Sequence, residues 1–384
     1  MTGAVAAPVE TPRLLLDEAR LARNAARLRA RCAALGVAFR PHHKTAKCVE
    51  VARAAHGGAA GPMTASTLRE AEQLAAAGFT DLLLAAVASP GRVPRAVAVG
   101  RDHPGTRLLL AADDAAMARL VGEAVPEGAG FGVLAEIDSG EHRSGLDPDS
   151  PALLALAEAI ARQSPRLRLA GVMTHAGHSY ATDDPDALAA TAEAERAAAV
   201  HAAARLRKAG HAVEVVSVGS TPTLLHARHL DGVTEARAGV SLLWDLAQMS
   251  RGLCGWDDLA LGVLATVIGH QRGGARPAIV LDAGALALSK DATANAFLPG
   301  AGYGLLADAR TGERLAGLSV SVVHQEHGTV PVPEESWFAR LPVGATVRVM
   351  PNHACLTAAG GYGAFHVHGG DGAARAVWPR VDGW

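Results

Sequence analysis

Residues 106–138, TRLLLAADDAAMARLVGEAVPEGAGFGVLAEID, read as a short apolar strand, a helix and a second short apolar strand. The same alternation continues outward in both directions. Toward the N-terminus lie VAFRPHHKT (37–45), GPMTAS (61–66) and DLLLAA (81–86), each leading into a helical stretch. Toward the C-terminus lie LAGVMTH (169–175), VEVVSVGS (213–220) and VTEARAG (233–239). Together these make eight strand candidates between about residues 15 and 240. Eight β–α alternations predict an α/β chain built on a (β/α)8 TIM barrel, in preference to an open doubly wound sheet.

From about residue 262 the texture changes. LGVLATVIGH, RPAIVLDAGA, LAGLSVSVVHQEHG and ATVRVMPNHACLT are rich in β formers, separated by Gly and Pro. They predict a smaller, mostly antiparallel β domain. The expected boundaries are 15–262 for the barrel and 263–384 for the β-rich domain, with the N-terminal segment 1–14 joining the latter. A chain of 384 residues with 49% hydrophobic content can bury both cores.

Composition also excludes some functions. A net charge of -2 provides no basic field for a phosphate backbone, so no nucleic-acid partner is expected. No apolar run approaches the ~20 residues that cross a bilayer, so no membrane association is expected. The opening MTGAVAAPVETPR has no apolar run of the kind a secretory signal carries. Four scattered cysteines without a CxxC pair read as reduced thiols, which predicts a cytoplasmic protein. Cys32, Cys48 and Cys254 read as small packing residues.

The first strand candidate ends in RPHHKTAK (40–47). Alternate side chains of a strand share a face, so Arg40, His42 and Lys44 point one way and Phe39, Pro41 and His43 the other. Lys44 then stands at the C-terminal mouth of the barrel, where barrel enzymes keep their active sites. His43 is expected to be structural, and Lys47 to belong to the following helix. Strand seven ends in SVGSTPT (217–223) and strand eight in RAGVS (237–241), whose small residues offer N–H groups and hydroxyls where barrels bind phosphate. A lysine on strand one and a phosphate cradle after strands seven and eight suit a lysine condensing with the aldehyde of a phosphorylated cofactor; pyridoxal 5'-phosphate fits best.

RPHHKTAK, TASTLREAEQLAAAGF, EIDSGEHRSGL, THAGHSY, SVGSTPT, LDAGALALSKD, HQEHG and PNHACLT occur in this order. The series resembles the fold-type III pyridoxal-phosphate enzymes, in particular the D-serine dehydratase and D-threonine aldolase group related to alanine racemase. The resemblance runs from about residue 10 to 380. It implies that Lys44 carries the cofactor and that His42 is the family histidine two residues before it. It implies that Arg143 and His175 lie near the cofactor ring, with Tyr180 close by. Gly219, Ser220, Thr221, Gly239 and Ser241 match the phosphate-binding turns. Where relatives often carry PGxYxFYDxMQ, this chain has AGVSLLWDLAQ (238–248). It also implies a homodimer.

His353 and Cys355 in PNHACLT are two residues apart, so an extended segment would place them on one face. Imidazole and thiolate suit Zn2+ or another divalent cation, and two protein ligands leave positions open for water and substrate. Dehydratases of the resembled group carry HxC, whereas aldolases more often carry HxD. The expected activity is therefore a metal-assisted, deaminating dehydration of a D-3-hydroxy amino acid such as D-serine. Its products would be a 2-oxo acid and ammonia. The alternatives are retro-aldol cleavage to glycine and an aldehyde, and a non-catalytic carrier of the cofactor.

Overall fold

The computed structural model describes residues 10–273, 276–369 and 374–384. Packing divides them into two compact units. One holds residues 22–242 with the last four, and the other holds the residues up to Leu21 with Leu243–Arg380.

In the first unit the eight expected strands are Ala38–Phe39, Met63–Ala65, Asp81–Val87, Arg107–Ala112, Phe131–Ile137, Leu167–Thr174, Val215–Val218 and Glu235–Ala236. They form one parallel sheet in which the first strand pairs with the eighth. An isolated parallel bridge between His42 and Thr64 closes the barrel between the first strand and the second. Continuous apolar runs such as LLLA suit this sheet, because its strands are covered by helices outside and by side chains within. Leu83, Leu109, Ala111, Leu134, Ala170, Met173 and Val215 form a buried cluster. Strands six and seven approach so closely that a Cβ on Gly171 would lie 1.9 Å from the Val215 carbonyl oxygen. The helices begin where short polar side chains can take their free N–H groups. Thr67, Asp114, Ser150 and Asp184 accept from Glu70, Met117, Ala152 and Asp186 respectively.

In the second unit a mostly antiparallel sheet runs in the order Arg314–Ser319, Gly304–Asp308, Thr346–Pro351, Leu261–Gln271, Arg13–Asp17, Ala364–His368, Ala374–Pro379. Arg13–Asp17 pairs antiparallel with Leu261–Gln271 and parallel with Ala364–His368. That pairing extends the N-terminal contribution to Leu21, beyond the 14 residues expected from sequence; at the other end the division falls at Leu243. Residues 1–9 of the expected N-terminal segment lie outside the described residues. No helix among the described residues is long and apolar enough to cross a membrane.

Candidate active site

The first strand is shorter than its sequence pattern suggests. Beyond Phe39 the chain keeps its strand direction only as far as His42, then tightens into a 3-10 turn, His43–Thr45. His42 caps this turn, its Nδ1 accepting the Lys44 N–H at 3.3 Å. Lys44 is exposed there. His43 is buried against the outer layer, its Nε2 sharing a hydrogen with Gln73 Oε1 at 2.9 Å. Lys47 is not helical, contrary to the sequence reading. It has a left-handed backbone (φ 50°), and the following helix starts at Val49. Its Nζ forms a 2.9 Å ion pair with the fully buried Glu70, and that contact fixes the reversal of the chain.

The turn after strand eight is pressed against this segment. His42 N–H donates to the Ala238 carbonyl at 2.9 Å. A Cβ on Gly239 would lie 2.9 Å from His42 Cβ and 3.0 Å from His42 O. After strand seven, Ser220 caps a short helix, Thr221–His226, in a reciprocal box with Thr223. Ser220 Oγ also lies 2.9 Å from Ser179 Oγ. Thr221 N–H reaches Tyr180 Oη and Thr221 Oγ1 reaches Ser241 Oγ, each at 3.4 Å. The structure thus brings Tyr180, Ser220, Thr221 and Ser241 together. Gly219 serves a different need, since a Cβ there would lie 2.2 Å from the Arg237 carbonyl oxygen.

Two histidines on this rim are held neutral. Burial is the main force lowering the His42 pKa well below its ordinary value, and the charges of Lys44 and Arg237 add to it. His175 is brought down to about 3, again chiefly by burial; its bond to Gly219 opposes the shift, while Lys44, Arg237 and Arg143 add to it. His175 Nδ1–H donates to the Gly219 carbonyl at 2.5 Å, which leaves Nε2 as an acceptor.

Sequence reasoning placed Arg143 near the ring. The structure puts Arg143 in the loop after strand five, more than half exposed and 3.3 Å from Glu141 Oε1. The arginine buried beside His42 and His175 is Arg237, which sequence reasoning did not single out. Its Nη1 donates to Ser217 Oγ at 2.5 Å and its Nη2 to the Thr174 carbonyl. Burial works against its charge, and Glu235, Glu195 and Glu136 support it. Below it a buried chain of charged groups continues. Ser217 Oγ donates to Glu235 at 2.7 Å, Glu235 pairs with Arg40 at 2.8 Å, and Arg40 pairs with Asp81 at 3.1 Å. Strand alternation had already sent Arg40 inward with His42.

In the second unit His353 follows the strand Thr346–Pro351 and caps a short helix, Ala354–Ala358. Cys355 therefore lies in a helical turn and not in the extended segment that sequence reasoning assumed. The chain turns here because buried Asp245 accepts the Ala354 N–H at 2.8 Å and His353 O accepts the Thr357 N–H at 3.0 Å. The turn still leaves the His353 and Cys355 side chains hydrogen-bonded to each other. His353 Nδ1–H donates to Asp291 at 3.0 Å. Burial opposes a charge on His353, but Asp291, Cys355 and Asp245 outweigh it and push the imidazole up to about 11. Against the effect of burial, bonds from His353 and from the Thr293 N–H and hydroxyl keep the Asp291 carboxyl well below its usual range. No group of three or more His, Cys, Asp or Glu side chains converges as metal ligands among the described residues. The site therefore offers a cation two protein ligands, with carboxylates behind them.

The chemistry of these residues fits the groups expected from sequence. Hydroxyls, an N–H and two sterically required glycines suit a phosphate, and an exposed lysine beside neutral imidazoles suits an aldehyde. A thiol and an imidazole oriented by a carboxylate suit a divalent cation. A (β/α)8 barrel with a lysine after strand one and a hydroxyl cradle after strands seven and eight, on a chain with a β-rich domain, defines a fold-type III pyridoxal-phosphate enzyme.

The comparisons agree. Residues 16–246 match the alanine racemase N-terminal domain and residues 260–367 a putative serine dehydratase domain, and the chain belongs to this family. It is 43% identical over 384 residues to D-threo-3-hydroxyaspartate dehydratase of Delftia sp. (strain HT23), covering 98% of both chains. The solved structure of that enzyme matches with a TM-score of 0.92 over 98% of each chain. Other solved structures of it are a histidine-to-alanine variant and a cysteine-to-alanine variant, the latter in a metal-free form. D-serine dehydratase of Dictyostelium discoideum is 28% identical over 375 residues, 91% of each chain. D-threonine aldolase of Arthrobacter sp is 30% identical over 387 residues, 97% of this chain and 92% of that one.

Proposed function

We propose that the chain is a pyridoxal-phosphate- and divalent-metal-dependent dehydratase of D-3-hydroxy amino acids, with D-threo-3-hydroxyaspartate and D-serine as the leading substrates. The observation that carries this reading is the hydrogen-bonded His353–Cys355 pair backed by Asp291, in a chain whose barrel presents Lys44 beside a hydroxyl cradle. A cofactor carrier has no use for such a pair. The relatives named above as dehydratases support the same choice.

Lys44 would hold the cofactor, and Thr221, Ser220, Ser241, Tyr180 and Gly239 would form its phosphate cradle. His42, His175 and Arg143 would stand around its ring, with Arg237 behind them. His353 and Cys355 would hold Zn2+ or another divalent cation. When bound, pyridoxal phosphate supplies an electron sink beside the substrate Cα, and the cation supplies Lewis acidity toward the β-hydroxyl. Lys44 Nζ moves the Cα proton. Neutral His42 and His175 add no positive charge beside that amine, and His175 Nε2 remains an acceptor. Net loss of water and its return in hydrolysis convert D-serine to pyruvate and ammonia. Four cysteines outside any disulfide support a cytoplasmic setting, and family resemblance supports a homodimer.

The test is a product assay on D-serine, D-threonine and D-threo-3-hydroxyaspartate, with and without a chelator. A 2-oxo acid and ammonia, lost on chelation, are expected. Glycine and an aldehyde from D-threonine, with no 2-oxo acid from any substrate, would establish retro-aldol cleavage instead. Turnover that survives chelation would remove the metal from the reaction.

A further inference from the structure

We infer that Glu195, on the outer helix Pro185–Lys208, is the positioning residue of the phosphate cradle; this rests on the pyridoxal-phosphate reading above. The helix lies outside the barrel and buries a stripe of Leu188, Ala192, Glu195, Ala199, Ala202 and Leu206. Every member is apolar except Glu195, which is 2% exposed. An ionisable group in such a stripe costs stability unless its oxygens are fully engaged.

Those of Glu195 are engaged by the segments that frame the cradle. Oε1 accepts the Ala176 N–H and the Gly219 N–H, both at 3.0 Å. Oε2 accepts the Thr223 hydroxyl at 2.7 Å. Ala176 directly follows His175, Gly219 precedes Ser220, and Thr223 closes the capping box with Ser220. The Gly219 peptide is therefore fixed from both ends, its N–H by Glu195 and its carbonyl by His175. Glu195 takes up inward-facing donors, and this sets which way the Thr221 N–H and the Thr221 and Ser241 hydroxyls face.

A fixed anion behind an anion-binding turn has the wrong sign to attract phosphate. Its contribution is reach: one carboxylate spans three donors on two loops. Glutamine at this position keeps that reach. Its carbonyl can accept both N–H groups, and its amide can donate to Thr223 Oγ1, whose own hydrogen can turn to the Ser220 carbonyl at 3.3 Å. Aspartate keeps the charge but loses a methylene of reach.

The experiment strips cofactor from the full-length protein and titrates back pyridoxal phosphate or unphosphorylated pyridoxal, following the visible absorbance of the lysine-bound form. Thermal unfolding of each variant checks its folding. Glu195→Asp and Glu195→Ala are expected to weaken pyridoxal phosphate about tenfold to a hundredfold, the range for stranding buried donors. Pyridoxal affinity should stay within about twofold, and Glu195→Gln should match the wild type for both ligands within about threefold. Equal loss of both ligands in a folded Glu195→Asp would reduce Glu195 to a general structural role and overturn the inference. Unchanged phosphate affinity in Glu195→Asp, or a large loss in Glu195→Gln, would overturn it equally. If Glu195→Ala does not fold, the Asp and Gln variants decide the matter. Failure of the cofactor reading itself has a separate signature: the wild type would bind no pyridoxal phosphate, and Lys44→Ala would leave the spectrum unchanged.

Discussion

Replacing Gly239 by alanine tests whether the lysine turn and the cradle are one rigid assembly. The backbone of Gly239 is not in the left-handed region, so any penalty comes from contact alone. The new methyl would meet His42 Cβ at 2.9 Å, His42 O at 3.0 Å and Thr45 Oγ1 at 3.2 Å. Ordinary carbon contacts lie at about 3.5–4.0 Å. Two of the three atoms are a backbone oxygen and a Cβ, neither of which can swing away by a rotamer change. Relief requires the His42–Thr45 turn to move by several tenths of an ångström, and overpacking of this kind costs about 1–3 kcal/mol. For a unit of this size that corresponds to a fall in Tm of about 2–10 °C. Because the moving turn carries Lys44, cofactor affinity should fall with it. The assay is differential scanning calorimetry with and without pyridoxal phosphate, beside a spectral titration of the cofactor. A variant with wild-type Tm and wild-type cofactor affinity would show that the two segments are not rigidly coupled.

Three further outcomes are expected. Asp291→Ala removes the carboxylate that orients His353, and should weaken divalent-cation binding about 10–100-fold; calorimetric titration with Zn2+ giving an unchanged Kd would refute this. Arg40→Met leaves buried Glu235 without its cation and should cost about 3–5 kcal/mol in urea unfolding, whereas a cost below about 1 kcal/mol would show that the ion chain is dispensable. His42 and His175 are both lowered in the fold, His175 to about 3, so below their unfolded value near 6.5 the unfolded chain binds more protons. Stability of the cofactor-free protein should thus be full above about pH 6.5 and decline as the pH falls. Each histidine contributes a slope of about 1.4 kcal/mol per pH unit. His175→Gln should flatten the profile by one such slope, and parallel profiles would contradict the assignment.

Much of this architecture was legible in the chain. Eight short apolar runs, each followed by a helix, have few other ways to bury themselves, and strand alternation alone sent Arg40 into the barrel and Lys44 to its mouth. What alternation could not convey was where a strand stops being a strand. The first ends at Phe39, so Lys44 sits in a 3-10 turn; Lys47 reverses the chain to meet Glu70, a partner 23 residues away. Cys355 reaches His353 through a helical turn because Asp245, more than a hundred residues earlier, caps Ala354. The sequence pointed to Arg143 near the ring, and only the fold shows that Arg237 is the arginine buried beside His42 and His175. Glu195 did leave a trace: it interrupts an apolar stripe at three- and four-residue spacing along its helix. Asp291 left none, since its partnership with His353 spans 62 residues.

The bridge between His42 and Thr64 has a consequence for how the barrel breathes. Arg40 and His42 donate to strand eight, through Ala236 at 3.0 Å and Ala238 at 2.9 Å, so the intervening residue faces strand two. That residue is Pro41, which accepts the Thr64 N–H at 2.9 Å but has no hydrogen to return. The ring of strands is thus fastened most sparingly one residue from the histidine that caps the lysine turn. A cofactor gripped by Lys44 on one side and by the turns after strands seven and eight on the other would act as a clasp beside that seam. In its absence the Thr64 amide should be among the first of the barrel's strand hydrogens to exchange with solvent, and loading the cofactor should slow it more than any amide on the far wall.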